Sequence, residues 1–215
     1  MQASQSQDSP RQRGRPRDPA MERRILEAAI LLYGQQGWRG FNFDLLSKAA
    51  RVGKDALYRR WPTRSALLND ALRGHWVQVG SIDEGSLRAD LLALGHAVFE
   101  AFTGPYGAVA LYLRADTQSF PEVREFADPW REYMVLQGRA IIQRAVAREE
   151  IPTGTSPALI LDILIGAIIN HVVSTPERLR GVMTAGFDEF VTSLVDLILM
   201  GVKRPAQADT RRRPG

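Results

Sequence analysis

Apolar positions in this chain recur at helical spacing. Ile25, Ala28, Ala29 and Leu32 fall at i, i+3, i+4 and i+7, which places them on one face of a helix from about Pro19 to Gln36. Pro19 suits a first turn, and Gly37 suits a left-handed position after the end. A short second helix is predicted behind Asn42 as N-cap, with Phe43, Leu46, Ala49 and Ala50 facing inward. A tight turn spans Arg51 to Gly53. A third helix runs Lys54 to Arg60, with Leu57 and Trp61 as its buried side and Pro62 as its stop. Thr63 or Ser65 then caps a longer helix to about Val79. Long helices follow at about Ser86–Phe102, Tyr106–Ser119, Pro121–Arg148, Ser156–Ser174 and Gly186–Met200, with Pro129 expected to kink or split the third of them. No stretch alternates with period two and no solenoid repeat is present, so the expected fold class is all-α.

Four regions follow from this pattern. Residues 1–19 read as a flexible basic arm, 20–66 as a compact unit of short helices, 67–202 as a larger helical bundle and 203–215 as a disordered basic tail. Apolar residues are 45% of the 215, enough for a packed interior. The longest apolar stretch, Ala158 to Val173, contains Asp162, Asn170 and His171. It is shorter than the ~20 residues of a membrane span, so a buried helix is expected and no membrane partner, with a membrane span as the alternative.

The absence of Cys excludes disulfides, thiolate nucleophiles, zinc–thiolate sites and iron–sulfur clusters, and fits a reducing cytoplasm. Charge is unevenly distributed. Residues 1–64 hold 13 Lys+Arg against 6 Asp+Glu (+7), residues 65–202 hold 10 against 17 (−7), and 203–215 hold 5 against 1 (+4). A basic front on an acidic body points the front at a polyanion, whether DNA, RNA or anionic lipid.

The second and third helices, joined by Arg51-Val52-Gly53, have the layout of a helix-turn-helix. In that motif the second helix enters the DNA major groove, where the base edges are distinguishable. With Leu57 facing the core, Lys54, Asp55, Ala56, Tyr58 and Arg59 are left for the groove and the phosphates. The segments Ile25-Leu26-Glu27-Ala28-Ala29, Gly37-Trp38, Leu46-Ser47-Lys48-Ala49-Ala50, Val52 through Pro62 and Arg64-Ser65-Ala66-Leu67-Leu68 resemble the DNA-binding domain of the TetR family over residues 20–70. Beyond that, the resemblance is one of helical layout.

The resemblance implies a bacterial, cytoplasmic, nucleoid-associated transcriptional regulator. It would be a homodimer on a palindromic double-stranded operator, and a repressor released by a small, largely apolar effector. Lys54, Ala56 and Tyr58 match DNA-contacting positions, Tyr58 through its hydroxyl on a phosphate. Arg59 would do likewise or reach a base, and Arg64 matches a position that touches the backbone. The chain departs from the family in having Arg51 where Gly is common, Gly53 where Ser is common and Ala56 where Thr is common. Asp55 could accept from a cytosine amino group. These differences bear on the operator sequence. Arg13-Gly14-Arg15-Pro16-Arg17 resembles a minor-groove hook, in which Arg13, Arg15 and Arg17 would follow the negative potential of a narrow groove. The competing reading is a solubilising tail.

For the larger region the resemblance implies effector binding and dimerisation. Leu161, Ile165 and Ile168 on one apolar helix, with Phe187, Phe190, Val191, Leu194 and Ile198 on the last, are the expected dimer interface, against the alternative that both helices complete a monomer core. His96, Phe99, Tyr106, Tyr112, Trp130, Tyr133 and Asn170, with Arg114, are candidate effector contacts, each with core packing as its alternative. Arg114 and Asp116 read as solvent-facing. His75, His96 and His171 lack metal spacing, so no metal and no cofactor is expected. No nucleotide loop or nucleophile elbow is present, and an enzyme is the remote reading. A regulator without a small-molecule effector, architectural or controlled by a protein partner, is the nearer alternative.

Overall fold

The computed structural model describes residues 18–74 and 79–203. Ten α-helices are present among them, with no strand. The N-terminal unit holds α1 (Pro19–Gly40), α2 (Phe43–Ala50), α3 (Lys54–Arg60) and α4 (Arg64–Leu72). The body holds α5 (Leu87–Thr103), α6 (Gly107–Ser119), α7 (Pro121–Ala147), α8 (Pro157–Ser174), α9 (Arg180–Ala185) and α10 (Phe187–Lys203), with a single 3₁₀ turn at Glu177–Leu179 before α9.

Local chemistry sets the boundaries. Asp18, Asn42, Thr63, Ser86 and Ser156 each accept a backbone N–H in the first turn of the helix that follows. Arg51 closes α2 in the left-handed region at φ 53°. Gly37 takes φ 60° and ψ −172°, which only glycine adopts readily, so α1 runs past Gln36 to Gly40 across a break. α4 ends at Leu72, short of the expected Val79. α7 is continuous through Pro129 and does not split.

The packing forms two cores. One gathers Ile25, Trp38, Leu46, Leu57, Leu67 and Leu68 from the N-terminal unit, together with Val109 and Leu113 of α6 and Val123 and Ala127 of α7. The other gathers α5, the second half of α7, α8 and α10 around Leu91, Leu94, Ile142, Leu164 and Val191. The expected division between residues 66 and 67 falls inside α4, whose Leu67, Leu68, Ala71 and Leu72 all belong to the first core. α8 departs from the fully buried helix that its composition suggests. It is long and apolar enough to cross a membrane, yet only 28% of it is buried, and Leu159, Ile163 and Val173 are exposed.

Candidate nucleic-acid interface

α3 has seven residues, too few to be stable alone, and side chains beneath it hold it in place. Leu57 is fully buried and Trp61 nearly so, with the Trp61 indole donating to Asp70 Oδ2 at 2.9 Å. Arg60 turns back from the end of α3 to Glu22 of α1 at 2.6 Å. The Val52 N–H donates to Ser47 O at 3.0 Å, which tightens the turn between α2 and α3.

Outward from this anchor stand Lys54, Asp55, Tyr58 and Arg59, with Ala56 half-buried. Tyr58 is 57% exposed, and its ring meets Phe43 edge-on at 4.6 Å, which directs the phenol away from the core. Lys54 pairs with Asp44 of α2, a partner that no motif announces. Lys48 and Arg51 are exposed nearby on α2 and the turn.

Arg64, expected at the DNA backbone, is half-buried and has part of its guanidinium engaged within the protomer. Nη1 donates at 2.9 Å to the carbonyls of both Trp38 and Phe41, and the group lies 4.0 Å over the Trp38 ring. It satisfies carbonyls left open where the chain turns from α1 into α2. Arg13, Arg15 and Arg17 lie outside the described residues, as do His75 and the tail beyond Lys203.

The candidate effector contacts are not gathered in one cavity. Phe99 stacks on Phe187 at 3.7 Å inside the second core. His96 stands at the surface near Asp188, and Asn170 is exposed, accepting from Ser174. Tyr133 is exposed near Gly80, while Tyr106 and Trp130 are half-buried. Tyr112 lies against Gly37, where a Cβ would stand 2.7 Å from its ring. It lines a cleft of about 190 Å³ with Trp38, Asp116 and Phe120. A second open cleft, about 370 Å³, is lined by Val146 and residues 149–153. Arg114 is exposed as read, but Asp116 is buried. The spacing held that signal: Val109, Leu113 and Asp116 fall at i, i+4 and i+7 on one face of α6.

The expected interface residues divide by helix face. Leu161, Ile168, Phe187, Val191 and Ile198 are buried within a single protomer and are unavailable to a partner in this fold, while Ile165, Phe190 and Leu194 are half-buried. The surfaces left open on the same helices carry Leu159, Ile163 and Val173 on α8 and Leu197 and Met200 on α10. No group of His, Cys, Asp or Glu able to hold a metal occurs among the described residues.

The anchored α2–turn–α3 arrangement on a helical body defines a helix-turn-helix DNA-binding regulator. Residues 25–71 match bacterial regulatory proteins of the tetR family, and residues 81–198 match the tetracyclin repressor-like C-terminal domain. The chain belongs to the TetR family, a family of regulators and not of enzymes. It is 29% identical over 188 residues to the DNA-binding transcriptional repressor TetR of Mycobacteroides abscessus, covering 84% of this chain and 93% of that protein. GusR of Salmonella enterica has the same fold, with a TM-score of 0.69 at 17% identity over 86% of this chain and 96% of that one. So does FadR of Bacillus subtilis, solved with stearoyl-CoA, with a TM-score of 0.65 at 16% identity over 83% and 98% of the two chains.

Proposed function

We propose that the chain is a homodimeric repressor in the bacterial cytoplasm that lays α3 in successive major grooves of a palindromic operator. The observation that carries this reading is the outward set Lys54, Tyr58 and Arg59 on a helix locked from beneath by Leu57 and Trp61. Asp55 and Ala56 would complete the groove-facing surface, and Arg13, Arg15 and Arg17 would follow the minor groove. We place the boundary between the DNA-binding unit and the body after Leu72, the last residue of α4, with α6 and α7 of the body contributing to the core that supports the unit. Dimerisation is assigned to the open apolar faces of α8 and α10. Selection of bound sequences from random duplexes tests the reading, because a two-fold dimer returns an inverted repeat with half-sites about one helical turn, ~34–36 Å, apart.

Release by a small, largely apolar effector is the regulatory part of the proposal. In support, a protein of the same fold, FadR of Bacillus subtilis, is solved with stearoyl-CoA, a ligand with a long apolar acyl chain. The second reading, a regulator without an effector, is favoured by the clefts of about 190 and 370 Å³, the first below and the second near the lower end of the roughly 300–1,000 Å³ of small-molecule sites. Thermal unfolding with acyl-CoAs and planar aromatic compounds separates the two. A raised midpoint that accompanies loss of duplex binding supports release; a midpoint unmoved across the panel supports the second reading.

A further inference from the structure

Two carboxylates are buried among the described residues, Asp90 and Asp116. Asp90 stays inside the body, accepting from the Glu84 N–H at 2.6 Å and pairing with Arg148 at 3.3 Å. Asp116 instead reaches between the two parts of the molecule. It projects from α6, and its Oδ2 accepts from the Tyr33 hydroxyl and from the Trp38 backbone N–H, both of α1 and both at 2.9 Å.

The break at Gly37 explains why α1 needs this acceptor. With Gly37 at φ 60° and ψ −172°, the helical ladder is interrupted and the Trp38 N–H loses its carbonyl four residues back. A buried N–H without a partner is costly. Asp116 supplies the missing acceptor from another part of the chain, as an N-cap would locally. Tyr33 is fully buried beside it, and burial followed by the Asp116 contact holds its phenol well above the ordinary tyrosine range, so it remains a donor.

The same short segment meets α4 on its other side. The carbonyls of Trp38 and Phe41 accept from Arg64, the first residue of α4, and α4 follows α3 after Trp61, Pro62 and Thr63. Hydrogen bonds therefore run from α6 through the turn after Gly37 to the first residue of α4. α1 packs against α6 more extensively than any other pair of helices packs.

We propose that Asp116 is a positioning residue for operator binding: through Tyr33 and the Trp38 amide it fixes the angle at which the helix-turn-helix unit sits on the body. This rests on the operator-binding reading above. In a two-fold dimer that angle sets the distance between the two α3 helices, and hence the half-site spacing the protein accepts. A small change at this contact is converted into a change of reach, because the unit beyond it moves as one packed body.

The test uses the full-length dimer, with Asp116→Asn and Tyr33→Phe as variants, well below their unfolding temperatures. Asp116→Asn keeps shape and removes charge; Tyr33→Phe leaves the carboxylate and removes one donor, which covers the case in which the first variant fails to fold. Inverted repeats selected by the wild-type protein are remade with the spacer lengthened or shortened by one base pair. The wild-type protein should lose roughly tenfold or more in affinity on the altered spacers, and the variants less than about threefold, with unchanged preference within each half-site. A merely structural role would lower the unfolding temperature and leave spacer discrimination intact. Variants that keep wild-type discrimination, or that lose affinity equally for every spacer, overturn the positioning role alone. A wild-type protein that selects no inverted repeat overturns the operator reading, and the positioning role with it.

Discussion

At the scale of single residues, the DNA-facing side chains separate into free and committed groups. Tyr58 and Arg59 are open to solvent, whereas Arg64 is held by two backbone carbonyls. Replacing Arg59 with alanine should weaken duplex binding and make the salt slope shallower by about 0.9 per protomer, as measured by fluorescence anisotropy across salt concentrations. Tyr58→Phe should cost roughly 0.5–1.5 kcal/mol of binding, from one lost hydrogen bond. Arg64→Ala should leave the salt slope unchanged and destabilise the fold by roughly 1–3 kcal/mol, because two acceptors lose their donor. A steep fall in slope for Arg64→Ala, with unchanged stability, would restore it to the DNA surface. Tyr33 gives a pH prediction. Its folded-state pKa is raised by burial and by Asp116, so its contribution to stability is fully present below the ordinary tyrosine value of about 10 and is lost as pH rises through the folded value. In an alkaline titration followed by tyrosinate absorbance, Tyr33 should ionise only on unfolding, and Tyr33→Phe should remove that late step.

At the scale of elements, the break in α1 decides where the helix-turn-helix begins. A glycine after the first helix was legible in the sequence, but three further residues continue the helix beyond it. Any side chain at position 37 faces two penalties, a left-handed φ and the Tyr112 ring 2.7 Å from its Cβ. Gly37→Ala should therefore lower stability by roughly 1–3 kcal/mol in denaturant unfolding. An unchanged midpoint would show that the break is incidental. Boundaries set by local capping were readable in advance: Asn42 caps α2, and the choice between Thr63 and Ser65 resolves to Thr63. The 3₁₀ turn and α9 were not anticipated. They are short, and the residues around Met183 become helical by docking one side chain into the second core.

At the scale of the whole molecule, exposed apolar surface on α8 and α10 is the feature that a lone protomer leaves unexplained. Leu159 is 60% exposed and Leu197 is 63% exposed, while Val191 on the next face of α10 is fully buried. Leu159→Asp and Leu197→Asp should each shift the protein toward monomer in sedimentation velocity while preserving its helical circular dichroism, with operator affinity falling alongside. Val191→Asp should instead unfold the protomer, since it places an unpaired charge in the core. Dimers that persist in both surface variants would move the interface elsewhere. Five of the eight residues expected at this interface proved internal: α8 is apolar on every side and offers no periodicity from which to choose a face, and on α10 the apolar stripe that the sequence shows packs into the protomer's own core.

The sequence by itself determined the helical class, most helix boundaries and the outward set on α3, because these depend on short-range spacing, capping and one compact motif. Tertiary structure decided which face of α8 stays open, which arginine is tied to backbone carbonyls and which carboxylate joins α6 to α1. Those outcomes depend on partners as far as 83 residues away, as between Tyr33 and Asp116, and packing brings such residues together without leaving a local pattern to read.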